Sequence, residues 1–268
     1  MKSTLFLIIL CALVFKSYSQ ELYVFTEPAS NMPSKSVALR LTGRFPNKPV
    51  FKHRYVPEAM IGISKNWMVH VSGTLSDYYS SNLKLESGRI YAKYRFLSND
   101  DVHRHFRMAA FGEIAYSNAP YLYDDANLDG DNSGSQAGLI ATQLINKLAV
   151  SSTVSYTRLF SVSTEKLLNT APSYHVVNYS FSAGYLILPK EYKNYKQTNV
   201  NAYIELLGAK SIDQNKYAID LAPAVQCIFN SNSKVNIGYR FQLSGNMDRI
   251  AKSTFQIAFE HTLFNLWK

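Results

Sequence analysis

The chain has 268 residues, a formal charge of +9, 18% charged residues and 34 Tyr and Phe together (19 and 15). Beyond its N-terminus no stretch approaches the ~20 apolar residues that a membrane-crossing helix needs. The basic balance comes without a basic run interleaved with aromatics, which argues against nucleic acid as a partner and leaves anionic membrane surfaces.

The first residues read as an address. Lys2 precedes an unbroken apolar run, LFLIILCALVF, over 5–15, and Ser17 and Ser19 are the small residues before a cut at Gln20. This is the pattern of a secretory signal peptide over 1–19. Its removal takes Lys2 and Lys16 with it, so the formal charge falls from +9 to +7. The mature chain then holds one cysteine, Cys227, and no internal disulfide can form.

Residues 20–35 (QELYVFTEPASNMPSK) hold two prolines and no period, and are read as a lead-in or plug. From Ser36 onward apolar and polar residues alternate with period two, the mark of a strand with two unlike faces. Twelve such segments follow, at about 36–45, 54–64, 67–76, 88–97, 105–117, 137–145, 147–158, 174–187, 198–208, 217–229, 234–243 and 254–264. Short links alternate with long ones; 188–197 is long for its place and 209–216 short. This predicts an all-β chain, a transmembrane antiparallel up-and-down β-barrel of about twelve strands over 36–268. A soluble two-sheet sandwich shares the alternation, but its strands are shorter, typically 5–6 residues.

The facing follows from parity. In the eleventh segment Val235, Ile237, Tyr239, Phe241 and Leu243 share one face, with Lys234, Asn236, Arg240 and Gln242 on the other. If the polar faces point inward, the lumen receives Arg40, Arg44, Arg89, Lys93, Arg95, Arg107 and Arg240, together with Glu58, Glu113, Glu205, Asp220 and Glu260. The first and last strands meet at closure, so Arg40, Glu58, Arg240 and Glu260 are expected to cluster. Such a set serves either as a charged constriction that selects solutes or as ion pairs that fill a narrow barrel.

One loop has a metal-like spacing. Asp125, Asn127, Asp129 and Gly130 match the first half of a calcium loop, and Asp131 adds a carbonyl, but Gln136 stands where the bidentate Glu belongs. The reading preferred here is a polar loop tip, with a weak calcium site as the alternative and no other cofactor. His70 and Ser72 form a His-x-Ser pair on the inward face, away from lipid. A lipid hydrolase wants these groups on the outer wall, so no enzyme activity is expected. His103 and His105 flank a turn without a third ligand at metal spacing.

The signal peptide, the mature start Gln20-Glu21 and the terminal strand FQIAFEHTLFNLW resemble Gram-negative outer-membrane barrels, and the Tyr/Asn-rich strands look like those of the Bacteroidetes. In size and strand number the chain also resembles the hydrophobic-compound channels related to the long-chain fatty-acid transporter and the phenol-degradation barrels. The chain departs from the pattern in ending Trp267-Lys268 rather than on Phe. The resemblance implies an outer-membrane location, with lipid, lipopolysaccharide and the barrel-insertion machinery as partners. It also implies a passive passage for small solutes, hydrophobic ones included. The alternatives are a closed barrel whose outer loops act as receptor, adhesin or scaffold, and, behind it, a lipid-modifying enzyme.

Overall fold

The computed structural model describes residues 23–102, 104–160, 173–190 and 196–267. The expected signal peptide and His103 lie outside the described residues. The twelve strands are β1 (Ser36–Pro46), β2 (Arg54–Gly62), β3 (Trp67–Ser76), β4 (Lys84–Asp101), β5 (Arg104–Ser117) and β6 (Gly134–Ile145), followed by β7 (Leu148–Leu159), β8 (His175–Leu188), β9 (Asn199–Ser211), β10 (Tyr217–Phe229), β11 (Ser233–Gly245) and β12 (Ser253–Leu263). Each pairs antiparallel with its sequence neighbour, and β1 pairs with β12, so the sheet closes into one barrel. The two-sheet sandwich is not formed.

Alternation fixes the register, because a slip of one residue would exchange the two faces of a strand. At the seam Arg40 stands opposite Glu260 on β12 and opposite Glu58 on β2. The faces are inverted relative to a water-soluble protein. Ile90 is 53% exposed while Lys93 is fully buried on the same strand. Leu41, Ile237 and Phe259 likewise point outward, and Glu205 and Asp220 inward.

Short turns gather at one end. The turn at 146–147 places Asn146 at φ 54°, a conformation Asn tolerates better than most residues. Loops 47–53, 77–83 and 118–133 lie at the opposite end. Outward-facing rings mark both ends: Trp67 and Tyr94 pack 4.7 Å apart at the short-turn end, and Phe45 lies 6.3 Å from Tyr55 and from Phe255 at the long-loop end.

The largest boundary difference is β4, expected over 88–97 and observed over Lys84–Asp101. Its pairing with β3 shifts register at Thr74/Leu75, and its pairing with β5 shifts between Arg95 and Leu97. Each irregularity breaks the period on which the sequence reading relied. Past Tyr94, β4 has no β3 partner but stays paired with β5 as far as Asp101.

The packed apolar clusters lie inside the barrel, between the wall and two segments that enter it. Tyr23 of the lead-in packs with Leu144, Ala149, Tyr203 and Ala224. Ala29 packs with Ala109 and Ile140. In loop 118–133, Tyr121 and Leu128 pack on Ala115 and Leu159.

Candidate functional site

Parity brings Arg40, Glu58 and Glu260 together on adjacent strands. Arg40 donates to Glu58 Oε2 from Nε at 2.9 Å and from Nη2 at 2.5 Å, and lies 4.0 Å from Glu260. Glu260 takes its closest partner from Lys234, at 2.5 Å. Arg240, expected in this cluster, is not there. It stands opposite Thr254, and Lys234 stands opposite Glu260. Arg240 instead pairs with Asp220 at 2.5 Å nearer the long-loop end, where Arg249 reaches the same carboxylate at 2.7 Å.

Glu58 is the hub. Its other oxygen lies 3.0 Å from His70 Nδ1 and 3.5 Å from Arg89. Arg89 continues the network to Glu113 at 3.2 Å and to Asp129 at 2.6 Å, and Asp129 accepts from Arg44 at 2.7 Å. The other expected lumen cations sit nearer the short-turn end. Arg95 donates to the Lys65 carbonyl, Arg107 pairs with Asp100 at 2.8 Å, and Lys93 reaches the lead-in. His70 and Ser72 both point inward as parity predicts, but Ser72 accepts from Arg89 and forms no bond with His70.

Loop 118–133 folds into this network. Asp131 binds both terminal nitrogens of Arg54, at 3.0 and 2.5 Å, and accepts the Tyr79 hydroxyl. The Arg54 guanidinium lies 4.1 Å from the centre of the Tyr78 ring and also contacts Glu86. Asp125 lies 3.6 Å from Arg249, and Asp124 takes Lys216 at 2.6 Å. Asn127 caps the turn from within, accepting the Asp129 N–H and donating to Asp131. The side chains of the calcium-like spacing are thus directed to different partners. Among the described residues no three His, Cys, Asp or Glu side chains gather around one point to hold a metal.

Burial alone would raise the carboxyls of this loop. At Asp125 burial outweighs Arg249 and pushes the pKa up to about 6. At Asp129 burial is overcome by Arg89 and Arg44, and at Asp131 by Arg54, so both stay below the usual carboxylate range.

Sequence reasoning missed Arg54, which heads β2 and shares the inward parity of Glu58. It also missed Glu27, 3.6 Å from both Arg40 and Lys93. Parity gives Arg54; no local pattern gives Glu27.

No protein-family model matches the chain, and no curated protein is similar to it in sequence. Among solved structures it is similar to KdgM porin, with a TM-score of 0.51 at 10% identity over 84% of this chain and 98% of that one. A KdgM porin in complex with disordered oligogalacturonate gives 0.45 at 11% identity, over 84% and 98%. Acinetobacter baumannii OccAB4 gives 0.39 at 9% identity, and the match covers 83% of this chain but 56% of that one. At such identities the likeness is one of fold: this chain shares a porin-like closed β-barrel.

Proposed function

We propose that this chain is an outer-membrane β-barrel that passes small solutes, and that its lead-in closes the passage at rest. A closed barrel satisfies its strand hydrogen bonds internally, as a hydrocarbon environment demands. The outward Leu, Ile and Phe suit lipid, and the aromatic rings at both ends suit its interfaces. Lipid, lipopolysaccharide and the insertion machinery are the partners this reading implies. The porin-like fold supports a passage, and the inward charges, including Arg40, Arg44, Glu113 and Glu260, would set its selectivity once it is open.

The observation that carries the proposal is how the lumen is filled. Residues 23–33 touch strands on all sides of the barrel, yet they hold them through hydrogen bonds, ion pairs and packing. The wall closes from Val37 onward through β1 and β12 without them. A filling of that kind can leave while the barrel stays intact.

Single-channel conductance in a planar bilayer tests this. The chain from Gln20 onward should be mostly silent, and the same chain lacking 20–34 should give sustained ohmic steps. Silence from both, in protein shown by heat-modifiable mobility to be folded and inserted, would sink the passage reading. A closed barrel acting through its outer loops would then take its place.

A further inference from the structure

The bed on which the lead-in lies has the chemistry of a peptide site. Glu205, fully buried on β9, accepts the N–H groups of Val24 and Phe25 on one oxygen, both at 2.9 Å. Its other oxygen accepts the Thr26 hydroxyl at 2.6 Å. Across the lumen Lys93, also fully buried, donates to the carbonyls of Pro28 at 2.7 Å and Ser30 at 2.9 Å and lies 3.6 Å from Glu27. Between these two charges Thr142 accepts the Ala29 N–H at 2.8 Å, and Gln256 donates to the Val24 carbonyl at 3.1 Å.

Side chains find prepared hollows. The Tyr23 ring stands edge-on to Tyr203 at 5.6 Å. Phe25 lies against Gly238, where a Cβ would come within 2.5 Å of the ring. The Pro33 carbonyl passes Gly62, where a Cβ would come within 2.1 Å. Bonds to the main chain tolerate many sequences, and side-chain hollows narrow the choice.

Once the lead-in leaves, Glu205 keeps only Ser182, at 3.3 Å, from this set, and Lys93 loses all three of its acceptors. Water then meets both groups, and an occupant that carries the same donors and acceptors can take its place. The replacement needs an ammonium or amide N–H groups at Glu205 and carbonyl or carboxylate oxygens at Lys93. It also needs an aromatic ring for the Tyr203 hollow. Val24 to Pro28 spans at most roughly 16 Å of chain.

We propose that the vacated lumen binds short peptides, about four to six residues long, with an aromatic side chain near the N-terminus, and that such peptides are the solutes admitted. This rests on the passage reading above, and names its substrate class.

The test uses calorimetric titration of two probes: the hexapeptide YVFTEP, a copy of residues 23–28, and a pentapeptide of one N-terminal phenylalanine followed by four alanines. The proteins are the chain from Gln20 onward and its Tyr23→Ala/Phe25→Ala variant, which loosens the lead-in and leaves the wall unchanged. The deletion of 20–34 serves as a second open form. Both peptides should bind the open forms at least tenfold more tightly than the intact chain, and Glu205→Gln in the open forms should weaken binding at least tenfold. Equal binding to intact and open forms, or indifference to Glu205→Gln, would overturn the inference. Binding of the copy alone, or equally tight binding of a neutral oligosaccharide of the same length, would overturn it too. Conductance of the same variants separates the two ideas. A rise without peptide binding leaves the passage standing and removes the peptide site; binding without a rise keeps the site but overturns both the passage and the admission of such peptides.

Discussion

From β1 to β5 the inner wall carries Arg40, Arg54, Glu58, Arg89 and Lys93, whereas from β6 to β8 its buried inward positions include Thr142, Ser151, Thr157 and Ser182. Long charged side chains on the first arc reach inward and capture Asp129 and Asp131 of loop 118–133 and Glu27 of the lead-in. Short hydroxyl side chains on the second arc, Thr142 and Ser182, meet the lead-in at Ala29 and Thr26. The lead-in therefore touches both arcs, through ion pairs and charged hydrogen bonds on the first and through hydroxyls on the second. The two arcs should also fail differently, since removing one member of a buried ion-pair network leaves stranded charges, while removing a hydroxyl leaves one unmet hydrogen bond.

The largest expected effect is on the charged arc. Glu58→Ala takes from Arg40 its closest acceptor and from His70 and Arg89 one partner each, and should lower the stability of the folded barrel by about 3–5 kcal/mol, read from the urea midpoint of its heat-modifiable gel shift. Thr142→Val on the other arc removes the acceptor of the Ala29 N–H, and should cost about 1–2 kcal/mol. Its effect should appear as faster hydrogen exchange confined to residues near Ala29. Equal losses from the two substitutions would erase the distinction between the arcs.

The smallest effect sharpens the comparison from the loop's side. Asp125 holds a proton more tightly when the loop is docked, so its contribution favours docking as pH falls from 7 through about 6 toward its ordinary value of 3.8. Asp129 and Asp131 have the opposite shift, and their contribution is full above 3.8 and is lost as pH falls below it. Protease resistance of loop 118–133 should therefore pass through a maximum between about pH 4 and 6. A steady fall from neutral pH downward would contradict the raised pKa of Asp125.

The twelve strands and their facing were legible because period two is a local signal. The strand ends were less so: Ser98-Asn99-Asp100-Asp101 reads as a turn, yet it stays in the ladder because β5 pairs with it. Glu58, Arg40 and Glu260 could be grouped from strand adjacency alone. Arg240 was misplaced because adjacency does not give the height along the axis, which the β11–β12 register sets. The partners of Glu205 were out of reach of any local pattern, since Val24 lies 181 residues away. The spacing of the Asp-rich loop is visible in the sequence, while the arginines that pair with its carboxylates, Arg44, Arg54, Arg89 and Arg249, lie far from it along the chain.

The overhang of β4 has one more consequence. Barrels escape edge-to-edge aggregation by having no free strand edge. Here the hairpin formed by β4 and β5 projects past Trp67, and from Phe96 to Asp101 one side of β4 faces no strand. This lip at the short-turn end restores a short length of sticky edge to an otherwise sealed sheet. Asp100 and Asp101 stand on it, exposed, with Asp100 in an ion pair with Arg107. Charged side chains on a free edge are one of the means by which proteins blunt edge-to-edge pairing, and this lip carries them.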